Sequence, residues 1–454
     1  MYEIPMWRGG GEQRSLDQRI VRSYRGEPVA RVHEASSLVV TPAVSALRKA
    51  GRLSGSDLPV LWDRIARAGE VLEGESLGGL SPEEHARLVT LATGAPFSDS
   101  LRGLTELASG LRRIRHALQW QAPGGDVTAF QQGKVTLPDG REYAWMPAGE
   151  VLGFIAPSNH PAVHLTWVLA LAMGWTVAVR PGAEDPFTPW RVLLALKKAG
   201  FPMDRVALLP GRHDLVPALV ESCDRTVAYG GPALGRLIGH DRRVLFNGPG
   251  HSKVLVEAPV APWTADFLVE AILHDGGRKC TCASAVVVLG EAGALLEEVN
   301  ERLAALPLLD PLDPAARVPA WLSAEAVLQT PAALAVVDGV AFAKPALVRC
   351  ADPTMPPFGA ELPAPWATAA ELAPDQDPMP LLRGSLAVTL LSRRAELREA
   401  CLREPTIRKV FTGPIPPWFT DPGAPHQGRL TEFLFTSKLA PEVQGAWNWP
   451  GGGP

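Results

Sequence analysis

The stretch GEVLGFIAPSNHPAVHLTWVLALAMGWTVAVRPG, residues 149–182, contains the pattern that decides the fold. GEVLGFIAPS predicts a strand, AVHLTWVLALAMG a buried helix, and TVAVRP a second strand. TPWRVLLALKKAG then predicts a helix and RVALLPG a third strand. This βαβαβ order is typical of a parallel sheet with crossover helices, so the sequence predicts an α/β fold.

The same alternation extends in both directions along the chain. Downstream, TVAYG, VLFNG, KVLVEA and ASAVVVLG predict strands, and helical segments lie between them. Upstream, helical spacing covers residues 58–72, 81–93 and 101–120. Residues 126–150 alternate around the turn signal Pro138-Asp139-Gly140, which predicts a hairpin. Later segments predict helices at 295–306 and 393–404, and strands at 385–391, 407–413 and 430–439.

Composition narrows the class of protein. The 454 residues are 46% hydrophobic and 20% charged, and 44 Lys and Arg against 48 Asp and Glu give a net charge of −4. No basic excess favours nucleic acid, and no apolar run approaches the ~18 residues of a membrane-spanning helix. The first residues lack the apolar core of a signal peptide. Five scattered cysteines do not form a disulfide framework, so we expect a cytoplasmic protein.

Two of those cysteines stand together in GRKCTC, residues 277–282. A structural pair of half-buried thiols is one interpretation. A zinc site needs about four ligands, and no second cysteine pair is available, so no metal is predicted. A redox couple at this spacing is geometrically strained. The remaining interpretation is a nucleophile, since the cations Arg278 and Lys279 would favour the reactive thiolate form.

The segments around this motif match a known family. IAPSNHP after the first strand, VRPGAEDPFTP after the second, VAYGGPALGRLI and GGRKCTCASAVVV occur in that order within residues 149–290. Together they resemble the aldehyde dehydrogenase superfamily. The resemblance implies a Rossmann-like parallel-sheet cofactor domain, an α/β catalytic domain carrying a cysteine, and a small β element for oligomerisation.

The resemblance also implies roles for individual catalytic residues. Cys280 corresponds to the family's nucleophile, whereas Cys282 falls where a small residue is usual. Asn159 corresponds to the asparagine whose amide, with the backbone N–H of Cys280, holds the oxyanion. Thiolate attack on a carbonyl places negative charge on oxygen, and each aimed donor stabilises it by about 3 kcal/mol.

A second group of residues corresponds to the family's cofactor contacts. These are Pro157 and Ser158 in the turn after the first strand, Arg180 in place of the ribose-contacting lysine, and Gly230 and Gly235 in the pyrophosphate turn. The turn after Arg180 lacks the glutamate that the family often has there. Arginine also pairs with a 2′-phosphate, so NAD and NADP both remain open as the cofactor.

Two departures bear on the reaction. Phe246 stands where aldehyde-oxidising members have the glutamate that activates water, and Gly248–His251 resembles the turn of CoA-acylating members. The glutamate of the family's Glu-x-Phe-Gly-Pro motif is not recognisable, the nearest segment being residues 380–391. We therefore expect NAD(P)H-dependent reduction of an acyl thioester to an aldehyde through Cys280, or the reverse acylating oxidation, with Phe246 and His251 near the acyl group.

Two alternatives stay open. The first is oxidation of an aldehyde to a carboxylic acid, with Glu257 or Glu270 as the base. The second is a member without catalysis that acts as a binding protein. The thioester carrier is CoA or a carrier protein.

The resemblance also suggests boundaries for the domains. Residues 1–125 and 148–245 would form the N-terminal and cofactor-binding domain, and residues 246–424 the catalytic domain with Cys280. Residues 126–147 and 425–446 would form the oligomerisation element. Since family members usually assemble through that element, we expect a homodimer or a homotetramer.

Overall fold

The computed structural model describes residues 1–321 and 331–439. The strands in these ranges are β1 Tyr2–Ile4, β2 Met6–Arg8, β3 Gly11–Gln13, β4 Gln18–Arg22, β5 Pro28–His33, β6 Lys134–Thr136, β7 Glu142–Pro147, β8 Val151–Ile155, β9 Thr176–Arg180, β10 Val206–Leu208, β11 Arg225–Tyr229, β12 Val244–Asn247, β13 Ser252–Glu257, β14 Ala283–Leu289, β15 Leu334–Val337, β16 Val340–Ala343, β17 Ala346–Arg349, β18 Trp366–Leu372, β19 Ala387–Leu391, β20 Lys409–Thr412 and β21 Phe435–Leu439.

The helices in the same ranges are α1 Ser37–Ala50, α2 Asp57–Gly74, α3 Pro82–Thr93, α4 Phe97–Arg112, α5 Ile114–Gln121, α6 Thr128–Gln132, α7 Leu165–Ala172, α8 Phe187–Lys198, α9 Leu215–Ser222, α10 Pro232–Ile238, α11 Thr264–Leu273, α12 Gly293–Ala304, α13 Met379–Leu382, α14 Ala395–Arg403 and α15 Leu430–Leu434. Short 3-10 turns cover Pro123–Gly125, Pro161–His164, Met203–Arg205 and His274–Gly277. No helix of the described ranges is both long and apolar enough to cross a bilayer.

The opening stretch of the sequence forms the centre of the first sheet. Its strand order is β12-β11-β8-β9-β10-β2-β3, with β8 through β12 parallel and the short β2 and β3 antiparallel at one edge. Every residue of β8 and β9 is buried, as expected for strands covered by helices on both faces. The α/β prediction is confirmed.

A second parallel sheet lies in the C-terminal half of the chain. Its order is β17-β18-β14-β13-β19-β20, and every pair is parallel. The helices α11 and α12 pack on one face through apolar side chains that include Leu268 and Val299. The cysteine motif lies immediately before β14, and therefore at the amino end of a buried strand.

A small sheet of order β21-β7-β6 joins the predicted hairpin to the C-terminal part of the chain. Its strands are antiparallel, and Trp145 on β7 stacks on Phe435 of β21 with ring centroids 4.3 Å apart. Residues 440–446 of the predicted oligomerisation element lie outside the described residues. The role of this sheet in assembly stays a prediction.

The structure differs from the sequence predictions in three places. The predicted helix over residues 101–120 is broken at Arg113, whose φ of −96° and ψ of 27° separate α4 from α5. Residues 430–439, predicted as one strand, begin with the helical turn α15 before β21. The polar N-terminal segment contains five short strands, which were too short to leave a recognisable alternation.

Candidate active site

Cys280 lines a cavity of about 550 Å³, whose walls come from both the N-terminal and the C-terminal halves of the chain. One wall consists of α4 and α7, and another of the segment from Trp418 to His426, which follows β20. Asn159 also faces this space, as does Lys409 at the start of β20. The structure therefore brings the two predicted catalytic residues into one cavity, called here the Cys280 cavity.

Glycine allows the backbone to hold Cys280 in place. Gly277 has φ +70°, a conformation that favours glycine, and a Cβ there would overlap the carbonyl of Ala364. A Cβ on Gly250 would overlap the carbonyl of Cys280 itself. Next to that contact, the Ser252 hydroxyl donates to the Cys280 carbonyl oxygen at 2.9 Å. The turn at residues 248–251 thus packs directly against the backbone of the cysteine loop.

The side chain of Asn159 forms a hydrogen bond with the same loop. Its Nδ2 donates to the carbonyl oxygen of Arg278 at 3.2 Å, and the side chain is half-buried at the cavity wall. The amide has a second N–H, which this bond leaves free for a ligand. The hydrogen bond holds the Asn159 amide in the cavity that contains Cys280. Its role in stabilising the oxyanion stays a prediction.

The cations next to Cys280 do not activate it as the sequence analysis expected. Arg278 donates to the Ser158 carbonyl and to the Thr93 hydroxyl, both at 3.3 Å. Lys279 is paired with carboxylates, among them Glu106 at 3.1 Å. Burial raises the pKa of the Cys280 thiol to about 12, so the free protein holds a protonated thiol near neutral pH. The expectation of a thiolate favoured by these two cations is corrected.

His426, which the sequence analysis did not single out, faces the thiol. Its Nε2 lies 3.8 Å from Cys280 Sγ, within reach of a weak sulfur hydrogen bond. Burial and, after it, the positive charge of Lys409 lower the pKa of His426 to about 3. The imidazole is therefore neutral at physiological pH and has a nitrogen that can accept a proton from the thiol.

The family follows from comparison with known proteins. A model of the aldehyde dehydrogenase family matches residues 11–335. The chain belongs to the aldehyde dehydrogenase family. Among solved structures, the aldehyde dehydrogenase KauB from Pseudomonas aeruginosa superposes with a TM-score of 0.80 at 21% identity, covering 96% of both chains. An indole-3-acetaldehyde dehydrogenase in complex with NAD⁺ gives the same values. At this identity the likeness concerns the fold.

The curated sequence relatives align over a smaller part of the chain than the solved structures do. Malonate-semialdehyde dehydrogenase 1 of Geobacillus thermodenitrificans is 28% identical over 240 residues, which is 49% of this chain and 46% of that protein. Retinal dehydrogenase 2 of Mus musculus is 27% identical over 286 residues, covering 58% and 51%. The chain thus spans about half the length of the curated relatives it matches.

Glu361, which the sequence analysis did not single out, lies beside the turn at residues 248–251. It begins Glu-Leu-Pro-Ala-Pro, which keeps only the first and last residues of the family motif, just before β18. Its carboxylate accepts hydrogen bonds from the backbone N–H of Gly250 at 2.6 Å and of His251 at 3.4 Å.

The two acyl-pocket candidates lie elsewhere. The Phe246 ring packs against Gly235 and Gly248 in an apolar cluster beneath α10 and is absent from the lining of the Cys280 cavity. His251 has φ +46°, and its Nδ1 lies 2.9 Å from the Gly359 carbonyl oxygen. The expectation that Phe246 and His251 lie near the acyl group is corrected. Each side chain makes a local contact that cannot be read from its position in the sequence.

The alternative bases named from sequence are also engaged. Glu257 is paired with Arg394 at 2.5 Å and accepts from the Ser392 hydroxyl. Glu270 is paired with Arg317 at 2.7 Å. Neither glutamate lines the Cys280 cavity, so the expectation that one of them acts as the base is corrected.

Cys282 is buried on the far side of the loop. Its sulfur lies 3.1 Å from the carbonyl oxygen of His274, and burial raises its pKa. Beside it, donor atoms of Glu106, His274 and Asp275 lie within 4.8 Å of one another, an arrangement that resembles a metal site. The ammonium of Lys279 pairs with both carboxylates, so a cation already belongs to this cluster.

The predicted cofactor residues gather at the carboxyl edge of the first sheet. Pro157 and Ser158 follow β8, and Gly230 follows β11 directly before α10, which contains Gly235. The Ser158 hydroxyl is already engaged by backbone N–H groups of the next turn. Arg180 is only 6% exposed, and its Nε donates to the Arg212 carbonyl, which leaves little of its guanidinium for a ribose.

Proposed function

We propose that this protein is an NAD(P)-linked oxidoreductase that carries an acyl group on Cys280 and exchanges it with a thiol. In one direction an acyl thioester is reduced to an aldehyde. In the other an aldehyde is oxidised to a thioester. The proposed thiol is that of CoA or of a carrier protein.

The main support for this proposal is that the carboxylates around Cys280 are already engaged in ion pairs or hydrogen bonds. Glu106 and Asp421 are the carboxylates in the described lining of the cavity, and each is paired with cations. Glu361 is turned to the Gly250 and His251 amides. Hydrolysis of an acyl-enzyme needs a base for water, whereas a thiol of pKa near ~8.5 is partly ionised without one. This arrangement favours transfer to a thiol.

The chain's own residues account for the proton movements. As Cys280 Sγ attacks the thioester carbonyl, its proton moves to His426 Nε2, and the Asn159 amide stabilises the oxyanion. Collapse of this adduct expels the carrier thiolate, which takes the proton back from His426. Cys280 is then acylated and uncharged. Reduction of the acyl group leaves a thiohemiacetal oxyanion beside the Asn159 amide. Its collapse frees the aldehyde and the Cys280 thiolate, which takes one proton from water to restore the thiol.

A dinucleotide fits the edge of the first sheet. Ligands of parallel α/β sheets bind beyond the carboxyl ends of the strands, where Pro157, Ser158 and Gly230 lie. A Cβ on Gly231 would meet nothing within 4 Å, so this turn is open to a ligand. A bound NAD(P) supplies or accepts the hydride. Two solved relatives by fold contain NAD⁺, which supports this choice of cofactor.

The second candidate function is oxidation of an aldehyde to a carboxylic acid. His426 favours it, because a neutral imidazole 3.8 Å from the sulfur could pass on a proton from water to deacylate Cys280. Its pKa of about 3 makes it a weak base for that task. The curated relatives named as malonate-semialdehyde and retinal dehydrogenases agree with aldehyde chemistry in general.

The proposed reduction is tested by NAD(P)H oxidation with acyl-CoA thioesters of increasing chain length. We expect consumption of NADH or NADPH with an equal amount of aldehyde, trapped as a hydrazone. Cys280→Ser is the control and should show neither. Loss of acyl-CoA without NAD(P)H consumption would indicate a thioesterase and would contradict the proposal.

A further inference from the structure

All but one of the Lys and Arg side chains in the described lining of the Cys280 cavity form ion pairs with carboxylates. Its described lining contains four cations. Three of them are held by carboxylates: Arg102 by Asp99 and Asp275, Arg113 by Asp421, and Lys279 by Glu106 and Asp275. These pairs are complete without a ligand, so they leave little net charge to attract one.

Lys409 is the exception. It lies at the first residue of β20, partly buried, and its side chain faces the cavity. Within residues 1–321 and 331–439, no carboxylate oxygen lies within 4.0 Å of its Nζ, and no hydrogen-bond acceptor is in range. Lys409, Cys280 and His426 line the same cavity, and His426 Nε2 lies 3.8 Å from the Cys280 sulfur.

Neither neighbour supplies the missing negative charge. Cys280 is a protonated thiol in the free protein, and once acylated its sulfur carries no charge at all. His426 is a neutral imidazole. A half-buried ammonium without a counter-charge is unfavourable, and burial lowers the pKa of Lys409. A ligand that brings an anion to this position removes the penalty.

We propose, on the basis of the proposed function, that Lys409 binds a carboxylate of the substrate. The substrates are then aldehydes that carry a carboxylate, or thioesters of dicarboxylic acids. The carboxylate and the reacting carbon lie in one cavity of about 550 Å³, because Lys409 and Cys280 both line it. Apolar residues of the cavity wall, Val163, Leu165 and Leu169, pack against the carbon chain. A neutral substrate of equal length leaves Lys409 uncompensated, and this difference produces selectivity.

Alkylation of Cys280 tests this site without cofactor or turnover. Iodoacetate and iodoacetamide react with the same thiol and differ in one carboxylate. Their rate ratio therefore cancels any effect on the ionisation of the sulfur. The rates are measured on the Cys280 peptide by mass spectrometry in the full-length protein. Cys350, which is partly exposed, provides the reference ratio in the same samples.

We expect iodoacetate to be favoured at Cys280 relative to Cys350, and Lys409→Met to lower this preference by about tenfold or more. Lys409→Arg keeps the charge and should keep the preference. Lys438→Met removes an exposed cation of β21 and should change nothing. An unchanged ratio in Lys409→Met, an equal fall of both rates, or the same drop in Lys409→Arg would overturn the site. Because the assay needs no reaction with NAD(P), failure of the proposed function leaves its result intact.

Discussion

Replacement of His426 by alanine tests how the buried thiol loses its proton. With a pKa of about 12, only about one Cys280 thiol in 10⁴ is ionised at pH 8. Forming the thiolate beforehand at that pH costs about 5 kcal/mol. Transfer of the proton to His426 as the new bond forms avoids a free thiolate. General-base assistance contributes about 10²–10⁴-fold, and a base of pKa about 3 lies at the low end of that range. We therefore expect His426→Ala to slow acylation of Cys280 by about 10²-fold near pH 7.

The assay is the first turnover with p-nitrophenyl acetate, which acylates the cysteine without cofactor and releases a coloured product. In the wild-type protein the rate should change little between pH 6 and pH 9, since neither the thiol nor the imidazole titrates there. In His426→Ala the rate should rise about tenfold per pH unit, because only the thiolate reacts. His213→Ala, an exposed histidine, is the matched control. A wild-type rate and pH profile in His426→Ala would refute a role for this imidazole.

Three further predictions concern the cysteine loop. Cys280→Ser should lose acylation by orders of magnitude while Cys282→Ser stays active, and intact mass of the acyl adduct checks which sulfur carries the group. Asn159→Ala should lower the rate of thioester reduction by about 10²-fold with little change in substrate binding, measured by steady-state kinetics; an unchanged rate would make the turn purely structural. Gly250→Ala should destabilise the fold in urea and slow alkylation of Cys280, because its Cβ overlaps the Cys280 carbonyl, whereas Gly11→Ala, with open space around it, should do neither.

Local patterns in the sequence were enough to predict the fold. The buried strands β8 and β9 and the helix between them are uniformly apolar, so their burial and their order follow from periodicity. Asn159 and Cys280 were found because each lies in a motif that keeps most of its family residues. The structure brings both to one cavity, as the resemblance implied.

Other parts of the site depend on contacts between distant segments. His426 comes from a Pro-rich stretch without periodicity, and Lys409 from the strand predicted over residues 407–413. Nothing in the sequence shows that this part of the chain lies beside Cys280. Glu361 was not singled out because Glu-Leu-Pro-Ala-Pro shares only its first and last residues with the family motif. The raised pKa of Cys280 was missed for a physical reason: the adjacent cations are visible in the sequence, while their carboxylate partners and the burial of the sulfur are not.

The central claim is that the acyl group leaves Cys280 to a thiol and not to water. Rapid mixing of the protein with succinate semialdehyde and NAD⁺ or NADP⁺ tests it most directly, with NAD(P)H absorbance followed with and without CoA. We expect about one NAD(P)H per active site without CoA, followed by a stall, and sustained turnover when CoA is added. Sustained formation of free acid without any thiol would contradict the account and favour the hydrolytic alternative.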